Sequence, residues 1–106
     1  MFARRVYLHL KPNSVAELTQ RLEKEIIPLL RKQKGFQDEI SFVSKGGKEA
    51  FGISLWDNAE NAEAYNRGAY TEVTKILATV VEGPAQVETF DVANSTFHKL
   101  AVAVTA

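Results

Sequence analysis

The chain has 106 residues, 45% of them hydrophobic and 25% charged, which is enough for one soluble globular domain spanning residues 1–106 and leaves no room for a second core. Its 13 basic and 13 acidic residues cancel to a formal net charge of zero, so no long-range field draws it to nucleic acid or to an anionic membrane. Cysteine is absent, which removes disulfides, thiolate nucleophiles and cysteine-ligated zinc together.

Arg4 and Arg5 precede only the short apolar run 6–10, interrupted by His9. That run is too brief for a signal-peptide core or a membrane span, and a cytoplasmic protein is expected. Within it Val6, Leu8 and Leu10 alternate with Tyr7 and His9, the period-two pattern of a strand with two unlike faces. Pro12 and Asn13 break the strand. Ser14 followed by Glu17 has capping-box spacing, in which each side chain satisfies the other residue's free backbone amide. The helix so opened carries Val15, Leu18, Leu22, Ile26 and Leu29 on one stripe and stops at Gly35, after about five turns. Pro28 has no amide hydrogen for the Lys24 carbonyl and predicts a kink. Arg31, Lys32 and Lys34 fall at the end of this helix, where cations suit the helix dipole and read as a solvated face.

Residues 36–44 and 49–56 read as two strands joined through Lys45-Gly46-Gly47-Lys48, whose glycines supply the positive φ of a tight hairpin. Asp57 and Glu60 repeat the capping-box spacing with Asp57 as the cap. Ala62, Tyr65, Ala69, Val73, Ile76 and Val80 then form a second helical stripe, which Gly68 can divide. Gly83-Pro84 ends the helix, residues 86–92 resume strand character, and residues 97–104 form a further apolar segment beyond Asn94-Ser95-Thr96.

Strand, helix, hairpin, helix, strand in that order predicts an α+β domain of ferredoxin-like βαββαβ topology, an antiparallel sheet with both helices on one face. The expected helix-side positions are Val6, Leu8, Leu10, Phe51, Ile53 and Leu55, which leaves Tyr7, His9, Ser54 and Trp56 on the other face. A face so aromatic predicts burial against a second sheet in a homodimer, with residues 97–104 reaching over the neighbouring subunit.

The run Ile27-Pro28-Leu29-Leu30-Arg31-Lys32-Gln33-Lys34-Gly35-Phe36, followed by Ser54-Leu55-Trp56-Asp57 and Ala62-Glu63-Ala64-Tyr65, resembles the antibiotic-biosynthesis-monooxygenase-like family of dimeric α+β barrels. The likeness continues at Gly83-Pro84 and covers nearly the whole chain. It implies a homodimer whose two sheets close into a barrel, and a family that includes cofactor-independent oxygenases, quinol oxygenases and haem-degrading enzymes. The haem-degrading branch implies an asparagine on the first strand and an iron-binding histidine on the second helix. Those positions fall at Val6 and near Lys75, and the branch's tryptophan falls near Tyr65, so no haem is expected.

No established catalytic motif is present. The two histidines, His9 and His98, lie on different elements, and neither has a metal-site spacing. His9 can deprotonate or hydrogen-bond a phenolic ligand, since an imidazole titrates near neutrality. Tyr65 is the second expected catalytic group. Trp56, Tyr70 and His98 are the expected substrate contacts: an aromatic face, a hydroxyl on the second helix, and an imidazole at a pocket mouth. Each of these residues also has a plain packing or interface role open to it.

The leading reading is a cofactor-free, metal-free monooxygenase acting on a small hydrophobic aromatic metabolite, a phenol or quinol, bound between sheet and helices. Such chemistry asks the protein for desolvation, orientation and one base. The alternative is a non-catalytic dimeric small-molecule-binding or stress-associated protein.

Overall fold

Antiparallel pairing in the order β2-β3-β1-β4 joins strands β1 (Phe2–His9), β2 (Phe36–Val43), β3 (Glu49–Trp56) and β4 (Gln86–Asp91) into one sheet. Helices α1 (Val15–Arg21) and α2 (Ile27–Arg31) flank a π-helical turn, Leu22–Ile26, and α3 (Ala59–Arg67) and α4 (Tyr70–Leu77) follow the hairpin. The computed structural model describes residues 1–98 and Leu100. The expected βαββαβ order and ferredoxin-like topology are present, with the helices on one face.

The π turn is the structural answer to Pro28. Ile27 donates to the Leu22 carbonyl, five residues back. The wider turn accommodates a residue that has no amide hydrogen and whose ring would crowd the Lys24 carbonyl in an unbroken α-helix. A π insertion therefore takes the place of a simple kink, and Leu18, Ile26 and Leu30 all remain buried.

Both expected caps are corrected. Ser14 makes no side-chain cap bond, because its backbone is already helical (φ −102°, ψ 0°), and Glu17 pairs instead with Arg21 at 3.4 Å. The second cap falls one residue later than expected: Asn58 is extended (φ −153°, ψ 167°) and its Oδ1 accepts from the Asn61 amide at 2.9 Å. Asp57 accepts from the Asn61 side chain at 2.8 Å. Gly68 does divide the helix, as expected. In the hairpin Gly47 takes the positive φ, at 70°. Gly35, at φ +81°, is packed so tightly that a Cβ would lie 2.2 Å from Asp57 Oδ1.

Register corrects the expected faces of β3. Leu8 lies opposite Ala50, Val6 opposite Gly52, Arg4 opposite Ser54 and Phe2 opposite Trp56. Directly opposed residues share a face, so the helix side of β3 carries Ala50, Gly52, Ser54 and Trp56. Phe51, Ile53 and Leu55 point the other way. Trp56 is thus a core residue, 0% exposed, edge-on to Phe36 and stacked on Tyr65 at 5.0 Å.

The core between sheet and helices gathers Leu8, Leu10, Leu18, Ile26, Leu30, Trp56, Tyr65, Val73, Leu77 and Val80. Each large side chain contributes on the order of 1.5–3 kcal/mol by leaving water. The opposite, open face presents Ile40, Phe42 and Phe90 at 49%, 42% and 48% exposure beside half-buried Phe51, Ile53 and Leu55. Phe42 and Phe51 stack at 4.7 Å, and Arg5 lies over the Phe51 ring while pairing with Glu88 at 2.6 Å. Asn94, Ser95, Thr96, Phe97 and His98 border a groove on this face, and the His98 imidazole meets the Asp38 carboxylate. Of the apolar segment 97–104 only Phe97, His98 and Leu100 are described, so its expected reach over a neighbour lies largely outside the described residues.

Candidate functional site

Small residues on the helix side of β3 leave a cavity of about 60 Å³ beneath the helices. Gly52 is central to it, since a Cβ there would come within 2.9 Å of Glu39 Oε2. Leu18, Leu22, Ile26, Leu30, Val73 and Leu77 give the wall its apolar part, and Arg4, Glu39, Ser41, Ser54, Tyr65 and Tyr70 its polar part. The period-two alternation of β1 carries Arg4 onto the same face as Val6 and Leu8, and the bulge between Phe36 and Asp38 sets Glu39 opposite Ser54 on that side of β2.

Arg4 is 2% exposed. Its guanidinium donates from Nη2 to Asn66 Oδ1 at 2.8 Å and lies 4.4 Å from the centre of the Tyr70 ring and 5.1 Å from that of Tyr65. The Tyr70 hydroxyl is buried and has no hydrogen-bond partner among the described residues. Burial pushes the Tyr65 and Tyr70 phenols up, against the opposing pull of the Arg4 cation. Both therefore stay protonated near neutrality and act as hydrogen-bonding groups, not bases. Burial also raises the Glu39 carboxyl, opposed by the Ser41 hydroxyl that donates to Oε2 at 2.6 Å. A carboxyl moved toward neutrality beside a cavity has the character of a proton acceptor for a bound hydroxyl.

Of the residues expected from the sequence, the structure brings Tyr65 and Tyr70 together in the cavity wall, with ring centres 5.8 Å apart. Trp56 lies behind Tyr65, and its Nε1 donates to Ser54 Oγ at 2.9 Å. His9 is elsewhere. It is exposed at the end of β1 on the other side of the sheet, edge-on to Tyr7 at 5.4 Å, beside a surface groove bordered by Pro12, Gly47 and Glu82. His9 and Tyr65 thus do not converge on one ligand, because alternate residues of a strand face opposite ways. His98 lies over the open face. Arg4 and Glu39 were not singled out by the sequence. For Arg4 the available signal was its place on the alternating first strand, in step with Val6 and Leu8, where a charge occupies a position due to be covered; Glu39 is in step with polar Gln37 and Ser41 and gave no such signal.

Val6 lines the cavity and Lys75 is exposed on α4. Among the described residues the cavity wall contains no imidazole, so the residues present offer a haem iron no histidine ligand. Among the described residues no three His, Asp or Glu side chains cluster as a metal site would require, and no helix is long and apolar enough to cross a membrane.

No protein-family model matches the chain, and no curated protein matches it. Solved structures do. A monooxygenase from the ActVA-Orf6 gene of Streptomyces coelicolor, in complex with nanaomycin D, superposes with a TM-score of 0.75 at 16% identity over 92% of each chain. An antibiotic biosynthesis monooxygenase by name from Bordetella bronchiseptica gives 0.74 at 14% identity, over 88% of this chain and 97% of that one. A MhuD mutant with manganese protoporphyrin IX bound gives 0.72 at 18% identity, over 91% of this chain and 98% of that one. The protein has an antibiotic-biosynthesis-monooxygenase-like fold.

Proposed function

We propose that the protein is a cofactor-independent monooxygenase of a small hydrophobic phenol or quinol, working as a homodimer. One observation carries the reading: a largely apolar cavity whose polar groups are a buried guanidinium, an unpartnered phenol and a carboxyl with raised proton affinity. The monooxygenase named among the structural neighbours supports the reaction class.

Glu39 accepts the substrate's hydroxyl proton, while Arg4 and the Tyr70 hydroxyl hold the phenolate oxygen. The phenolate passes one electron to dioxygen, and the radical pair combines to form a carbon–oxygen bond. Loss of the ring hydrogen with one oxygen atom as water leaves a ring carbonyl. A phenol and dioxygen thus give a quinone and water, with all four electrons drawn from the substrate and no added reductant. The apolar wall keeps water from the charged intermediates. A single aromatic ring needs more than the cavity's 60 Å³, so binding moves the wall outward, with Leu22 and Ile26 of the π turn the side chains placed to give way.

The test is oxygen uptake with a panel of hydroquinones and polyphenols, without added metal or flavin. Uptake above the buffer rate is expected, and Glu39→Gln should slow it by roughly 100-fold or more, the usual loss on removing a general base. No uptake with any member, together with ligand quenching of Trp56, the chain's single tryptophan, would favour a non-catalytic binding protein instead.

A further inference from the structure

We infer that the cavity is built for an organic anion, an oxyanion carried on an apolar body, and that Arg4 is the group that selects it. This rests on the same cavity as the oxygenase reading but makes a separate claim about what enters it.

Arg4 is buried yet forms no ion pair with a carboxylate among the described residues. A guanidinium withdrawn from water loses its hydration, and proteins commonly meet that loss with a facing anion. Here the compensation is partial: one amide oxygen from Asn66 and the faces of Tyr65 and Tyr70, none with a formal charge. Glu39 shares the cavity but forms no ion pair with Arg4, and its Oε2 accepts from the Ser41 hydroxyl. The Tyr70 hydroxyl is a second donor without a partner, in the same wall as the guanidinium that lies over its ring. Two donors in one wall, neither with an anionic partner among the described residues, define a place for an oxyanion. The remaining wall, from Val6 and Leu8 across to Leu30 and Leu77, is apolar, so the anion arrives attached to a hydrocarbon or aromatic body rather than as a hydrated inorganic ion.

Benzoate and benzamide test this directly, because they share shape and differ in charge. Titration followed by Trp56 fluorescence, without turnover, should show benzoate binding at least 10-fold more tightly than benzamide. Thermal melts should show benzoate raising the midpoint, while sodium chloride and sodium sulfate at matched ionic strength do not. Tyr70→Phe, which removes one buried oxygen from a half-buried side chain, should weaken benzoate several-fold and leave benzamide nearly unchanged. Arg4→Gln, checked for folding by circular dichroism, should bring the two ligands to equal affinity. If that variant fails to fold, the wild-type ligand pair and Tyr70→Phe decide the matter. Equal binding of benzoate and benzamide to the wild type, or stabilisation by sulfate as large as by benzoate, overturns the inference. Absence of oxygen uptake with phenols would count against the oxygenase reading alone and leave this one standing.

Discussion

Glu39 sits where β2 passes the cavity, and its carboxyl is penalised by burial in the folded chain but not in the unfolded one. Raised above the ordinary carboxyl range, it contributes stability that is present below that range and lost as pH rises through the folded value. Near neutrality the ionised group is therefore a net cost. Glu39→Gln should raise the melting temperature at pH 7 and leave it almost unchanged at pH 4, even as it slows any proton-transfer step; equal shifts at the two pH values would contradict the assignment. Gly52 makes room for this carboxyl, so Gly52→Ala should displace Glu39 and weaken ligand binding more than Gly46→Ala, whose Cβ would meet nothing within 4 Å. Competing titrations with benzoate measure the difference. Tyr65 was legible as a member of a helical stripe facing the sheet, and Tyr70 as a hydroxyl on the same helix. Arg4 and Glu39 were not, because a strand pattern shows which positions alternate but not which face a neighbouring strand turns to the helices.

Elements were legible in kind and misjudged at their ends. Periodicity and glycine placement give the strands, the hairpin and the break at Gly68, since these follow from steric rules local to a few residues. Caps depend on the backbone angles of one residue, and two polar neighbours compete for that role. Asn58 holds the extended angles and makes the bond, so Asn58→Ala should cost about 1 kcal/mol, the usual value for losing a side-chain cap, and Asp57→Ala clearly less. Urea midpoints of the two variants compare them, and a larger loss at Asp57 would return the cap to the position read from the sequence. The π turn also escaped the sequence, because Pro28 announces a disturbed helix without specifying whether the rod bends or widens.

For the whole molecule the order of elements determined the topology, while the assignment of sheet faces needed the register of β3 against β1. That register moves Trp56 into the core and replaces it on the open face with Phe51, Ile53 and Leu55, flanked by exposed Ile40, Phe42 and Phe90. The open face is more apolar than the one expected, which strengthens the physical case for a second copy covering it. Arg5 on this face is already paired with Glu88, so that cation can be covered without stranding a lone ion. Two identical faces meeting about a two-fold axis form a closed, isologous assembly. Sedimentation at micromolar concentration should then give about twice the 11.8 kDa of one chain. Phe42→Asp combined with Phe90→Asp should yield a folded monomer, because both side chains are exposed in the single chain and carry no part of the helix-side core. Trp56→Asp should instead unfold the chain, since it puts a carboxylate at a position with 0% exposure. A folded wild-type monomer at that concentration, or a double variant that still sediments as a dimer, would mean that something other than a second copy of this sheet covers the face.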